Sequence, residues 1–156
     1  MAWEIERKFR VVGDGWRAHP VSDGGVRYTQ GYLNRDKSRT VRVRVAGAQG
    51  WLTIKGLSTG ATRAEFEYPI PLADAQSLLG LCDGTLIDKT RHTLKVGDTV
   101  WEVDEFHGDN AGLVVAEVEL QAEDQPYDRP DWLGEEVTHD VRYFNSALIA
   151  HPYRKW

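Results

Sequence analysis

Glu4, Glu6 and Lys8 stand two residues apart in Glu4-Ile5-Glu6-Arg7-Lys8, a spacing that puts all three on one face of a β-strand. Two carboxylates so placed suit a hard divalent cation, and an ammonium beside them suits a phosphate. The pattern recurs along the chain as Arg42/Arg44, Glu65/Glu67, Lys89/Arg91, Glu102/Asp104 and Glu117/Glu119, with Lys55 at the end of another run. The intervening positions are apolar, as in Val41/Val43/Val45, Phe66/Tyr68, Trp101/Val103 and Val114/Ala116/Val118. A solvated sheet face mixes Ser, Thr, Gln, Lys and Glu without order. Here neighbours share a sign and repel one another unless opposite charge sits among them.

Metal ions between the carboxylates, and an oligo-anion between the cations, would relieve that repulsion. If the sheet closes, the charged faces line a polar channel. Six cations (Lys8, Arg42, Arg44, Lys55, Lys89, Arg91) then face eight carboxylates (Glu4, Glu6, Glu65, Glu67, Glu102, Asp104, Glu117, Glu119), a net charge of about −2. Two divalent cations would turn this into about +2, so metal is needed before a polyanion is attracted.

Elements able to position these residues follow from a period of two broken by turn signals. Strands are expected at residues 27–33, 40–46, 51–55, 63–70, 85–95, 99–106 and 113–120, besides the N-terminal one. Gly47-Ala48-Gln49-Gly50, Val96-Gly97-Asp98 and Gly108-Asp109-Asn110 supply tight turns. Residues 71–80, opened by Pro71 and Asp74 and closed by Gly80, read as a helix, as do residues 143–150. Pro126 and Pro130 make 121–131 irregular, and Arg154-Lys155-Trp156 reads as a tail. The class is mostly antiparallel β with short helical connections.

Composition narrows the function classes. A chain of 156 residues, 41% hydrophobic with six Trp, is most simply one domain with a real core. A net charge of −5 argues against general nucleic-acid binding. The single Cys82, read as a small buried side chain, excludes an internal disulfide and fits a reducing compartment. With no visible signal peptide and no apolar run of membrane-spanning length, a cytoplasmic location without membrane association is expected. His92 should point away from the face that carries Arg91. His107 sits at a turn, and His19, His139 and His151 lack metal-ligand spacing, so zinc is not expected.

The ordered set Glu4-x-Glu6-x-Lys8, Arg42-x-Arg44, Lys55, Glu65-x-Glu67, Lys89-x-Arg91, Glu102-x-Asp104 and Glu117-x-Glu119 resembles the CYTH domain, the triphosphate tunnel metalloenzymes. The resemblance implies a single domain over 1–156, mainly β with short helices: an eight-stranded antiparallel closed barrel, a tunnel with a charged lumen. It implies metal-dependent hydrolysis of inorganic triphosphate or a triphosphate-bearing small molecule. Gly134-Glu135-Glu136-Val137-Thr138 and Arg142-Tyr143-Phe144-Asn145 are most similar to short bacterial members, which tend to be tripolyphosphatases. On this reading Lys8, Arg42, Arg44, Lys55, Lys89 and Arg91 bind the triphosphate. Glu4, Glu6, Asp104, Glu117 and Glu119 hold one or two Mg²⁺ or Mn²⁺ ions. Lys8, Glu4 and Glu6 form the catalytic set, Glu65, Glu67 and Glu102 support it, and the C-terminal helix plugs one tunnel end.

Two other readings stay open. A class IV-type adenylate cyclase would need a base site, for which Trp3, Tyr28, Tyr32 and Trp51 are candidates. A non-catalytic polyphosphate- or nucleotide-binding module would not need so many carboxylates. A homodimer would hide apolar strand surface, although no segment identifies its interface.

Overall fold

The computed structural model describes residues 3–19 and 25–156. Its strands are β1 (Trp3–Val11), β2 (Val26–Asn34), β3 (Arg39–Ala46), β4 (Gln49–Gly56), β5 (Thr62–Ile70), β6 (Ile87–Val96), β7 (Thr99–Phe106), β8 (Val114–Glu119) and β9 (Leu133–Glu136). Two helices, α1 (Leu72–Leu79) and α2 (Asn145–Ala150), follow β5 and β9. Hydrogen bonding runs β5-β4-β3-β2-β6-β7-β8-β1, and β1 returns to β5, closing an eight-stranded antiparallel barrel. The seam pairs Trp3 with Ala64, Glu4 with Arg63 and Ile5 with Thr62. Farther along, β1 leaves β5 and takes up β9 through Phe9↔Glu136 and Val11↔Leu133.

Strand alternation sends the charged positions inward and the apolar ones outward, so the barrel is covered from outside. One core gathers Phe9, Trp16, Trp101, Val103, Val118 and Trp132 beneath a short 3-10 turn (Gly15–Ala18) and the irregular stretch before β9. A second joins Tyr32, Ile87, Phe106 and Val115 to Tyr143, Leu148 and Ile149 around α2. Helix α1 lies on β3 and β4. Its approach requires Gly50, where a Cβ would stand 2.7 Å from that of Ala75. Among the described residues nothing covers the outer face near β5 in this way, and Trp3 and Tyr68 are exposed there.

Several expectations need revision. β6 starts at Ile87 rather than residue 85, and β8 is confined to Val114–Glu119. The C-terminal helix is broken: a 3-10 turn over Val141–Tyr143, an extended Phe144, then α2. β9 was not expected, because Leu133-Gly134-Glu135-Glu136 has little strand propensity. It forms against the free part of β1, and a Cβ on Gly134 would come within 3.0 Å of the Arg10 carbonyl oxygen. Cys82 is half-buried rather than buried, with its Sγ directed at the Leu78 carbonyl oxygen. The last residues are no free tail: Tyr153 N donates to Asn110 Oδ1 at 2.8 Å, Arg154 pairs with Asp109 at 2.6 Å, and Trp156 packs 5.0 Å from Tyr143. Among the described residues, no helix is long and apolar enough to cross a membrane.

Trp101 joins the covering to the barrel. It is fully buried, packs edge-on against Phe9 and Trp132, and donates Nε1–H to the Asp128 carbonyl at 3.0 Å. Trp101→Ala is expected to lower stability by about 3–5 kcal/mol, read as a shifted urea unfolding midpoint with an unchanged slope.

Candidate active site

Closure brings the charged doublets onto one cavity of about 310 Å³. Every charged residue of the sequence set lines it except Asp104, which lies behind the wall and is 1% exposed; of the aromatic candidates, Tyr28 and Tyr32 line it and Trp3 and Trp51 do not. Cations from β3, β4 and β6 face carboxylates from β1, β5 and β8 across the space. Registers fix the neighbours: Lys8 stands beside Glu117, Glu6 beside Glu119, Lys55 beside Glu65, and Arg91 beside Asp104.

Asp104 is a counter-ion with both oxygens engaged. Arg91 grips it through Nε–Oδ1 at 2.8 Å and Nη2–Oδ2 at 2.9 Å, and Lys89 Nζ reaches Oδ2 at 2.7 Å. Arg91 also reaches Glu102 at 3.1 Å and Glu117 at 3.4 Å. Lys55 Nζ donates to both oxygens of Glu4, at 2.9 and 3.1 Å, and lies 3.4 Å from Glu65. Arg42 donates to Thr53 Oγ1, whose hydroxyl donates to Glu67. Lys8 Nζ donates to the Tyr143 carbonyl at 3.1 Å and stands 3.5 Å from Glu117. Lys89 similarly donates to Asn145 Oδ1 at 3.2 Å. The segment around the start of α2 thus forms part of the cavity wall.

Crowding on the acidic side splits the carboxyls into unlike pairs. Burial, then Glu117 and Glu4, push Glu6 well above the usual carboxyl range. Burial acts the same way on Glu117, but Lys8, Arg91 and Lys89 outweigh it and hold that group well below the range. Burial and Glu4 raise Glu65 to about 7, while on Glu4 burial is outweighed by Lys55 together with Glu65 and Arg63, which keep it low. Each pair thus sets a carboxyl that favours holding a proton, Glu6 or Glu65, beside one that favours losing it, Glu117 or Glu4. A metal ion would displace such shared protons. Oxygens of Glu4, Glu65 and Glu119 all lie within 4.8 Å of one another, an all-oxygen donor set that fits a hard divalent cation. On the basic side, burial together with Arg91 and Arg44 lowers Lys89 to about 7 despite Asp104.

Sequence reasoning missed several lining residues. Arg63, 3.7 Å from Glu4, continues the inward face of Glu65 and Glu67 and was open to the same i, i+2 count. Thr40 and Thr138 also line the space but carry no charge to mark them, while Tyr28 and Tyr32, named as candidates for a base site, do line it. His92 lies outside the lumen as expected, its ring 4.9 Å from that of Trp16.

The CYTH domain model matches residues 2–153. An inorganic triphosphatase from Acetivibrio thermocellus is 47% identical, over 100% of this chain and 99% of that protein. An inorganic triphosphatase from Nitrosomonas europaea is 38% identical, over 93% of this chain and 95% of that protein. A crystal structure of an inorganic triphosphatase superposes with a TM-score of 0.65 at 35% identity, over 96% of this chain and 95% of the other.

The unlike carboxyl pairs set a pH dependence for the metal-free protein. A carboxyl raised on folding binds more protons in the native state than in the unfolded one, so it costs stability as pH climbs through the gap. For Glu65 that gap runs from the ordinary 4.5 to about 7, and Glu6 acts in the same direction. In chelator, the melting temperature should fall between those pH values. Glu6→Gln, which mimics the protonated form, should melt higher than the parent at pH 7.5 and no higher at pH 4.5. Equal melting at both pH values would remove this account of Glu6.

Proposed function

This chain belongs to the CYTH family, and on that premise we propose that it is a divalent-metal-dependent triphosphatase hydrolysing inorganic triphosphate. The observation that carries this reading is the single cavity in which cations of β3, β4 and β6 face carboxylates of β1, β5 and β8. A linear triphosphate would lie between Arg42, Arg44, Lys55, Lys89 and Arg91, with the guanidinium forks gripping pairs of phosphate oxygens. Glu4, Glu6, Glu65, Glu117 and Glu119 would hold Mg²⁺ or Mn²⁺. When bound, the metal supplies charge neutralisation and an activated water.

The remaining work belongs to side chains of this chain. Lys8, tethered between the Tyr143 carbonyl and Glu117, would stabilise charge on the phosphoryl group being transferred. Asp104 and Glu102 hold Arg91 in place, and Glu67 acts on Arg42 through Thr53. Phosphoryl transfer calls for positioning and charge stabilisation rather than a protein nucleophile, which suits a lumen of these groups. Cyclisation of ATP is less well supported, because three of the four aromatic candidates for a base site are occupied by a cation, nearly buried or turned away from the lumen. Tyr28 carries Arg44 at 4.6 Å from its ring centroid, Tyr32 is 7% exposed within a core, and Trp3 sits on the outer face.

Incubation with inorganic triphosphate, ATP or thiamine triphosphate, each with Mg²⁺ or Mn²⁺, tests the proposal by product chromatography. Inorganic triphosphate should give pyrophosphate and phosphate in equal amounts, with no reaction in chelator. Glu117→Gln should lower the rate by about 10–100-fold at limiting metal. Cyclic AMP as the main product from ATP would overturn the reading, as would an unaffected Glu117→Gln variant for the metal assignment.

A further inference from the structure

β2 separates β3 from β6, the two strands that supply Arg42, Arg44, Lys89 and Arg91, yet contributes no charge to the lumen. Its inward residues include Tyr28, opposite Lys89, and Gln30, opposite both Arg44 and Ile87. The cations it touches are not held alike. Lys8, Arg42, Lys55, Lys89 and Arg91 each have a carboxylate partner. Arg44 has none among the described residues. Its Nε donates to Gln30 Oε1 at 2.9 Å, and its guanidinium lies over the ring of Tyr28.

Gln30 is fully buried, and its Nε2 has no hydrogen-bond partner among the described residues. The orientation of the amide is fixed by chemistry, since the donor-only Arg44 must face the oxygen. A buried donor left unpaired is a cost that an apolar side chain of similar size would avoid. A glutamate would accept the same hydrogen bond from Arg44 but would cancel its charge. Tyr28 works by similar means: its ring centroid lies 4.6 Å from the Arg44 guanidinium, 5.1 Å from that of Arg91 and 5.9 Å from Lys89 Nζ. The ring quadrupole steadies all three cations without supplying an anion.

We propose that Gln30 and Tyr28 are positioning residues that orient Arg44 while leaving its positive charge uncompensated for a phosphate of the substrate. The inference rests on the reading of the lumen as a triphosphate site and adds a division of labour within it. Arg91 meets the anion with its charge already shared among Asp104, Glu102 and Glu117, whereas Arg44 brings a charge that no carboxylate within ion-pair distance among the described residues offsets. Burial, Arg42 and Arg91 lower the Arg44 pKa to about 9, which leaves it charged at neutral pH.

The test is steady-state kinetics with inorganic triphosphate and Mg²⁺, with thermal melts to establish folding. Gln30→Glu should raise KM by about tenfold or more with kcat changed less than about threefold, and without loss of melting temperature. Tyr28→Leu, which removes the ring over which the Arg44 guanidinium lies, should also raise KM. Gln30→Met should also raise KM, but in an Arg44→Met background the same change should add less than about twofold. A parent-like KM for Gln30→Glu, or an undiminished Gln30→Met penalty without Arg44, would overturn the positioning role while leaving the triphosphate reading intact. Failure of the unaltered protein to bind or hydrolyse inorganic triphosphate would overturn both.

Discussion

Inside a closed sheet, every second side chain is withdrawn from bulk water, and a charge placed there must meet an opposite charge or give up its ionisation. The lumen residues answer this in different ways. Arg91 and Lys89 converge on Asp104, and Lys55 is clamped on Glu4. Glu6 and Glu65 are pushed toward their protonated forms beside ionised neighbours. Arg44 leans on an amide and an aromatic ring. These solutions leave a surplus of carboxyl groups on one side and an uncompensated cation on the other. That is the electrostatic state expected of a site whose metal and polyanion complete it.

The outer surface answers the complementary demand. Alternation that turns Glu102 and Asp104 inward turns Trp101 and Val103 outward, so the barrel needs packing on its convex side. The 3-10 turn at Gly15–Ala18, the irregular stretch before β9, and helices α1 and α2 provide it. The segment leading into α2 also reaches the lumen, where the Tyr143 carbonyl and Asn145 accept from Lys8 and Lys89. Core packing and lumen geometry are therefore joined through a few residues around Phe144.

Much of this was legible because strand alternation writes the inner and outer faces into the sequence directly. The charged doublets identified the lumen set, and barrel closure gave them a common space. What stayed hidden depended on distant partners. β9 has little intrinsic propensity and exists because β1 offers it an edge. Asp104 reads in the sequence as a metal ligand beside Glu4, Glu6, Glu117 and Glu119, and only the register with Arg91 shows both its oxygens engaged. Gln30 carries no charge, so a count of charges passes over it, and Tyr28 reads as a platform for a base rather than for the cations it touches. The ordered C-terminal residues depend on Asn110 and Asp109, more than forty positions away in sequence.

The seam of the barrel has a consequence for how the molecule comes to exist. β1 carries Glu4, Glu6 and Lys8, yet its neighbours are β5, β8 and β9, so Lys8 meets Glu117 only after most of the chain is available. Pairings of such wide separation are slow, because the entropy of a long loop is lost before any contact compensates for it. During synthesis the first strand waits without its partners, and its alternating charges oppose premature pairing with like edges. The lumen is thus assembled by the same late event that closes the sheet. A partly folded chain would hold the pieces of the site without the site itself.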